Sequence, residues 1–120
     1  MDRVYTRGVE QLVSMYREAS ELLEIKKADE AGAIIAKAQP LMERLLGVPR
    51  PTRAAMEAAS DLDQLYGRML LTNHHYGWAR MLFQKNLARW KNWSPQSDET
   101  ARRLKLAAES IAECDRLIAE

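Results

Sequence analysis

The first part of the chain has a helical pattern of apolar positions. From about Arg3 to Ile25, apolar residues follow one another at spacings of four and three, namely Tyr5, Val9, Leu12, Tyr16, Ala19 and Leu23. This spacing places them on one face of a helix with heptad character. Leu22 widens the stripe, which is typical of a bundle helix that contacts more than one neighbour. The pattern therefore predicts a first amphipathic helix.

A second helix is predicted after a break in the pattern around Lys26–Asp29. Asp29 is a residue type that caps helix N-termini, and helical spacing resumes after it with Ala31, Ile34, Ile35, Ala38, Leu41, Met42 and Leu45. Pro40 lies inside this segment and lacks a backbone donor, so we expect a kink or a weakened helix near residues 36–39. Gly47 and the following VPRPT stretch indicate a helix end and a tight connection to the next helix.

The third segment contains no proline from about Thr52 to Lys91. Apolar and polar positions keep three–four spacing almost throughout, at Met56, Ala59, Leu62, Tyr66, Met69, Asn73, Tyr76, Arg80, Phe83, Leu87 and Trp90. Gly67 and Gly77 each cost a helix about 1 kcal/mol relative to alanine, but neither requires a break. We therefore predict one long central helix, with a length on the order of 60 Å.

A last helix is predicted after the WSPQSDE interruption. Ser94 before Pro95, or Ser97 before two acidic residues, can start it. Its apolar seam comprises Leu104, Ala107, Ile111, Cys114 and Ile118. The predicted fold class is all-α, an elongated antiparallel helical bundle of three to four helices with one long central helix. Residues 1–120 are expected to form a single helical-bundle domain.

Composition fits such a bundle and restricts the compartment. The 120 residues are 47% hydrophobic and 29% charged, with a net charge of +1, so no strong overall field favours nucleic acid or an acidic partner. Cys114 is the only cysteine, which is typical of a reducing compartment. The N-terminal residues lack the apolar region of a signal peptide, and no apolar run is long enough for stable membrane insertion. We expect a cytoplasmic protein.

The sequence offers little for catalysis. His74 and His75 are adjacent and point about 100° apart on a helix, so they cannot bind one metal together, and a surface or rim position suits both. Cys114 lies on the apolar seam, where a small core residue is expected. No phosphate-binding loop or nucleophile–base motif is present. We predict that the protein is not an enzyme and has no metal and no cofactor.

Basic residues are concentrated between Arg80 and Lys105. This segment has seven bases and two acids, a local charge of +5, and Trp90 and Trp93 lie among them. Such a pattern occurs in nucleic-acid-binding proteins, but the chain has no recognisable nucleic-acid motif. A solvated basic face is the simpler interpretation, and no nucleic-acid partner is predicted.

The long helix has more apolar residues than one seam requires. Leu71, Trp78 and Leu82 form a second stripe, which Trp93 extends. Apolar anchors at spacings of seven and four suit packing against an amphipathic partner helix. The alternative is that these residues are core, or form the seam of a homodimer. Asn73 is the one short uncharged polar residue of the main seam, and a buried asparagine can set helix pairing.

One stretch of the third segment is similar to a known family. The run Asn73-x-x-Tyr76-Gly77-Trp78-x-x-x-Leu82-x-x-x-Asn86-Leu87 resembles the long central helix of FlgN-type flagellar export chaperones, a type III secretion chaperone class. Many of them carry an Asn-x-x-Asn-Gly-x-Leu stretch, with a further Asn about nine residues after the glycine. Tyr76 and Ala79 depart from the family, which often has Asn and Leu there. The chain also ends on a helix, whereas many relatives have a loose C-terminal tail.

The resemblance implies a function in flagellum biogenesis. Such chaperones bind the C-terminal amphipathic helices of hook–filament junction proteins, keep them unpolymerised and deliver them to the type III export apparatus. The expected partners are a protein client and that apparatus, and a structural or adaptor bundle acting as a homodimer is the alternative. The predicted partner-binding residues are Leu71, Asn73, Gly77, Trp78, Leu82, Asn86, Trp90 and Trp93.

Overall fold

The computed structural model describes residues 2–120, and these residues form five α-helices without strands. The helices are α1 (Arg3–Glu24), α2 (Ala28–Leu46), α3 (Arg53–Thr72), α4 (Tyr76–Lys91) and α5 (Asp98–Ala119). The predicted all-α class is confirmed. The predicted count of three to four helices is wrong, because the third segment contains two helices.

The single long central helix is a wrong prediction, and neither glycine causes the break. α3 ends at Thr72 and α4 begins at Tyr76, so the chain turns at Asn73–His75. His74 adopts a left-handed backbone conformation with φ of 65°. The His75 N–H donates to the Leu70 carbonyl at 2.8 Å, and the His74 N–H donates to the Leu71 carbonyl at 3.0 Å. These two bonds form a Schellman motif, which satisfies carbonyls at the end of α3.

The connection between α1 and α2 uses the same motif. Lys26 has φ of 63°, the Lys27 N–H donates to the Leu22 carbonyl at 2.8 Å, and the Lys26 N–H donates to the Leu23 carbonyl at 3.0 Å. The predicted break around Lys26–Asp29 is confirmed. The predicted cap is wrong, since Lys27 is the N-cap and Asp29 lies in the first turn of α2.

The C-terminus of α2 and the N-terminus of α5 lie where the sequence predicted them. Gly47 is the C-cap of α2, as predicted, and α2 continues through Pro40, which lies on its exposed side. Of the two serines, Ser97 caps α5: its hydroxyl accepts from the Thr100 N–H, and the Thr100 hydroxyl accepts from the Ser97 N–H. This capping box ties the first turn of α5 to its cap.

The chain folds into two compact units, and the boundary falls within α3. Unit 1 ends at Leu62, and unit 2 comprises Asp63–Glu120. The expectation of a single domain over residues 1–120 stays a prediction.

Unit 1 contains α1, α2 and the first half of α3. The start of α1 lies beside the end of α2, because the Tyr5 hydroxyl donates to the Leu45 carbonyl at 2.8 Å and accepts from the Thr52 N–H at 3.3 Å. α1 and α2 are therefore antiparallel. The buried apolar residues are aliphatic or small, namely Val9, Leu12, Ala19, Ala31, Ile35, Ala38, Leu41, Met42, Leu45, Ala55, Ala58, Ala59 and Leu62.

Unit 2 contains the second half of α3 together with α4 and α5. Arg80 pairs with Asp115, and Arg103 lies over Trp90, so α4 and α5 are antiparallel. The apolar core comprises Leu70, Leu71, Ala79, Phe83, Trp90, Ala107 and Cys114. Phe83 reaches α3 at Gly67, where an added Cβ would lie only 2.6 Å from Cζ of the ring. Gly67 therefore allows the two helices to approach closely.

Candidate docking surface

Helix α4 has one buried face and one exposed face. The buried face repeats at spacings of four, three and four, with Ala79, Phe83, Asn86 and Trp90. These four positions lie within about 60° of each other around the helix, at 100° per residue. Since Phe83 and Trp90 are less than 2% exposed, this face fixes the orientation of α4 in unit 2.

The opposite side of α4, which we call the outer face, is exposed along its whole length. It comprises Gly77, Trp78, Met81, Gln84, Lys85, Ala88, Lys91 and Asn92. Trp78 is 52% exposed and Met81 is 67% exposed. Their spacing of three residues places them side by side on the helix surface. The N-terminal half of the outer face is therefore apolar, although it faces solvent.

Trp78 is held from one side by aromatic contacts. The Tyr66 ring on α3 meets the indole edge-on at a centroid distance of 5.5 Å, and the His75 ring lies 6.3 Å away. Burial raises the pKa of Tyr66. A ring fixed in this way loses less conformational entropy on binding a partner than a free side chain.

The C-terminal half of the outer face is basic. It contains Lys85 and Lys91, and no acidic residue occurs between Asp63 and Asp98 in the sequence. Lys85 Nζ lies 3.9 Å from the Asp63 carboxylate, which also binds Arg89 at 3.2 Å. Lys85, Lys91 and Arg89 together with the Asp63 carboxylate leave a local charge of +2.

A buried polar cluster lies behind this basic half. Asp63 is 1% exposed and Asn86 is 3% exposed. The guanidinium of Arg89 is also buried, and it donates to the Asp63 carboxylate and to the side-chain oxygen of Asn86. Asp63 Oδ1 has no hydrogen-bond partner among the described residues. The cluster joins α3 to α4 by polar contacts inside unit 2.

The C-terminal end of α4 is tied to α5 and to the loop before it. The Gln96 amide donates to the Trp90 carbonyl at 2.8 Å and to the Trp93 carbonyl at 2.7 Å. The Arg103 guanidinium lies 5.3 Å from the Trp90 ring centroid. Hydrogen bonds from Arg102 and Arg103 lower the pKa of Glu99 to about 2. This end of α4 is therefore held in place on its inner side.

Two further ion pairs join the helices of unit 2. Arg80 Nε donates to Asp115 at 2.6 Å, and Arg68 donates to Glu113 at 2.5 Å. These hydrogen bonds lower the pKa of both carboxyl groups. Arg80 lies beside the outer face, but its charge is matched by Asp115.

The structure separates the eight predicted partner-binding residues. Gly77 and Trp78 lie on the outer face of α4. The rest lie elsewhere. Leu71, Asn86 and Trp90 are buried in unit 2, Leu82 packs against its core, Asn73 lies in the exposed turn, and Trp93 is half-buried at the end of α4.

The second stripe of Leu71, Trp78 and Leu82 therefore does not exist as one surface. Leu71 belongs to α3 and the other two residues belong to α4, because the turn at Asn73–His75 separates them. The role of Gly77 and Trp78 in binding stays a prediction. The buried members pack in the core of unit 2, and their role in binding stays a prediction as well.

Met81, the most exposed apolar residue of the outer face, was not among the predicted partner-binding residues. Helical spacing indicated its exposure, because Ala79, Phe83 and Trp90 share one face of the helix and Met81 lies about 180° from the centre of that face. Lys85 and Lys91 were interpreted only as solvated bases, and Arg89 turned out to be buried.

Cys114, His74 and His75 occupy the positions that the sequence predicted for them. Cys114 is fully buried, as predicted for a core residue, and burial raises the pKa of its thiol. His74 and His75 are exposed, as predicted, and His74 Nδ1 forms a 2.7 Å hydrogen bond with the Tyr76 hydroxyl. Across residues 2–120, no three His, Cys, Asp or Glu side chains are arranged to hold a metal ion.

Unit 1 has a groove of about 400 Å³ between the start of α1 and the end of α2. Gly8 opens it, Leu41 and Leu45 contribute apolar walls, and Arg7 and Arg44 contribute charge. The lining is mixed, since Asp2 and Gln11 also contribute polar groups. The outer face of α4 is therefore the stronger candidate for a functional surface.

No α-helix within the described part of the chain combines the length and the apolar character needed to cross a membrane.

No protein-family model, curated protein or solved structure matches this chain.

Proposed function

We propose that this protein is a helical binding module that holds an amphipathic helix of a client protein on the outer face of α4. The supporting observation is the exposed pair Trp78–Met81 on a helix whose opposite face is fully packed. An indole and a thioether side by side offer a large contact area and adaptable packing. Large aromatic side chains of this kind are common anchors in protein interfaces.

The proposed client class is the one that the FlgN-type resemblance implies. A chaperone of this kind covers the C-terminal helix of a hook–filament junction protein until the export apparatus takes it. Gly77 and Trp78, two residues of the resemblance, lie on the outer face. Asn73 and Asn86 lie in the turn and in the core, so the proposal does not depend on them.

The test is a titration of the protein with C-terminal helical segments of junction proteins. We expect micromolar binding by calorimetry, and we expect Met81→Glu to abolish it because a charge then faces the apolar contact. Met81 is 67% exposed, so the variant should retain the stability of the parent chain. Trp78→Ala should weaken binding about ten-fold or more.

Leu106→Ala on α5 is the matched control, since Leu106 is an exposed apolar residue outside α4. It should leave binding unchanged. Absence of binding to every segment, or equal loss with Leu106→Ala, would contradict the proposal. A concentration-dependent dimer that Met81→Glu converts to a monomer would instead assign the outer face to a second copy of the chain.

A further inference from the structure

We infer that the outer face of α4 selects an acidic amphipathic helix, whose carboxylates lie beside Lys85 and Lys91 while its apolar residues cover Trp78 and Met81. This inference rests on the proposed function and specifies the chemistry of the partner.

Apolar and basic side chains follow a fixed order along α4. At 1.5 Å per residue, Met81 lies about 4.5 Å, Lys85 about 10 Å and Lys91 about 20 Å along the axis from Trp78. The apolar anchors are therefore at one end of the outer face and the cations are at the other. A partner helix that matches both needs its apolar positions and its carboxylates separated along its length in the same way.

The cations of the outer face are only partly neutralised inside the protein, by one long contact between Lys85 and Asp63. Lys91 has no carboxylate partner among the described residues, and the buried Asp63 is already bound by Arg89 at 3.2 Å, closer than Lys85 at 3.9 Å. Lys85 remains 56% exposed. By contrast, Arg80 and Arg68 are paired with Asp115 and Glu113 on α5. The outer face therefore carries the weakly paired Lys85 and the unpaired Lys91 on the same helix as Trp78 and Met81.

Negative charge is absent from the outer face. No acidic residue follows Asp63 until Asp98, so this face carries nothing that would pair with a basic helix. A basic client would meet like charges, which disfavour a complex. An acidic client gains both contact area and faster association.

The experiment uses the full chain and synthetic helical peptides of about 18 residues, which match the length of α4. Three peptides share one apolar face and carry Glu, Gln or Lys at the flanking positions. We expect the Glu peptide to bind about ten-fold more tightly than the Gln peptide and the Lys peptide to bind most weakly. The preference for Glu should decrease as salt concentration rises.

The matched variants are Lys85→Gln/Lys91→Gln and Lys37→Gln/Lys105→Gln, which have the same net charge. The first pair should lose about five-fold in affinity for the Glu peptide and leave the Gln peptide unaffected. The second pair removes two exposed lysines outside α4 and should change neither affinity. The second pair should have the urea midpoint of the parent chain. The first pair should lie close to it, because only the long contact of the exposed Lys85 with Asp63 is lost.

The outcomes separate this inference from the proposed function. In one outcome the Glu and Gln peptides bind equally at all salt concentrations, and Met81→Glu abolishes the binding of both. This result would overturn the acidic preference but would still support the docking surface. Binding of none of the three peptides would overturn both. In another outcome the protein binds a single-stranded oligonucleotide or anionic vesicles more tightly than the Glu peptide, and Lys85→Gln/Lys91→Gln loses that binding. This result would overturn the inference in favour of a phosphate-bearing partner.

Discussion

Unit 1 and unit 2 are both helical, but they are stabilised by different contacts. Unit 1 buries alanine, branched aliphatic residues and Met42, and the ion pairs Lys27–Glu30 and Arg53–Glu57 join residues three and four positions apart in the sequence. Unit 2 buries Phe83 and Trp90 and joins its helices by ion pairs, including the buried Asp63–Arg89 pair. Within residues 2–120, unit 2 alone buries aromatic rings. Similar apolar periodicity can therefore produce units with different sensitivities to mutation.

The largest expected difference comes from the buried ion pair. Asp63→Ala leaves the buried Arg89 guanidinium without its carboxylate, so we expect a loss of about 3–5 kcal/mol in the free energy of unfolding. Glu57→Ala in unit 1 removes a partner of the half-exposed Arg53 and should cost less than about 1 kcal/mol. Urea denaturation measures both values.

The double variant Asp63→Leu/Arg89→Met tests the reason for that loss. It removes the Asp63 carboxylate, with its unsatisfied Oδ1, and the Arg89 guanidinium. Because no charge then remains buried and unpaired, the double variant should recover most of the free energy of unfolding that Asp63→Ala loses. If Asp63→Ala costs no more than Glu57→Ala, the contrast between the units is wrong on this point.

The next largest difference is expected between two glycines that meet a neighbouring helix. In Gly67→Ala the new Cβ would lie 2.6 Å from Cζ of Phe83, so we expect a loss of about 1–3 kcal/mol from overpacking. In Gly8→Ala the nearest atom is the flexible end of Leu45 at 3.0 Å. The gain in helix propensity of about 1 kcal/mol then offsets the contact.

The measurement for the glycine pair is thermal unfolding followed by circular dichroism. Phe83→Leu in the Gly67→Ala background should recover part of the loss, because the smaller side chain vacates the space of the ring. Equal effects of Gly67→Ala and Gly8→Ala would show that Phe83 does not require the close approach.

Glycine should stabilise both turns, although the two cores differ in their response to mutation. Lys26 and His74 both have positive φ, at 63° and 65°, a conformation that costs a non-glycine residue about 1–2 kcal/mol. Lys26→Gly should stabilise the protein by about 0.5–1 kcal/mol, after the greater entropy of glycine in the unfolded chain is deducted. His74→Gly should gain less, because it also loses the 2.7 Å hydrogen bond to the Tyr76 hydroxyl. Lys27→Gly and His75→Gly are the controls, since neither residue has positive φ, and a gain there equal to that at Lys26 or His74 would contradict this account.

The smallest effect is expected in acid, at the first turn of α5. Hydrogen bonds from Arg102 and Arg103 hold the pKa of Glu99 at about 2, below its ordinary value of 4.5. Between pH 4.5 and about 2 the unfolded state therefore binds more protons than the folded state. The contribution of Glu99 to folding stability is complete above pH 4.5 and is lost as the pH falls towards 2. Glu99→Gln should flatten the decrease in urea midpoint over this range, and identical pH profiles for the parent chain and the variant would contradict the prediction. The pair is exposed, so added salt should reduce the difference.

The fold class was predictable because apolar periodicity directly encodes helices. The seams of α1 and α2 and the caps Gly47 and Ser97 needed no tertiary information. The turn at Asn73–His75 was not recognised, because Met69, Asn73, Tyr76 and Arg80 keep helical spacing across it by chance. The polar run Thr72–His75, with four residues of modest helix propensity, was the available signal.

The candidate surface was only half predictable for a related reason. Gly77 and Trp78 were selected from their residue types and pattern, whereas Met81 was not selected although it lies opposite the buried Phe83 and Trp90. Sequence alone also does not distinguish the buried Arg89 from the exposed Lys85, since both bases lie close together on one helix. Burial of a charge depends on its partner Asp63, which lies on another helix.

The placement of the three tryptophans makes the two units optically distinct. Trp78, Trp90 and Trp93 all belong to unit 2, so intrinsic tryptophan emission reports the melting of that unit alone, while far-ultraviolet circular dichroism reports helices of both. Coincident transitions by the two probes are the signature of all-or-none unfolding. Acrylamide quenching should distinguish solvent-facing Trp78 from enclosed Trp90. A ligand on the outer face would then be detected as a loss of quenching, without any label on the protein.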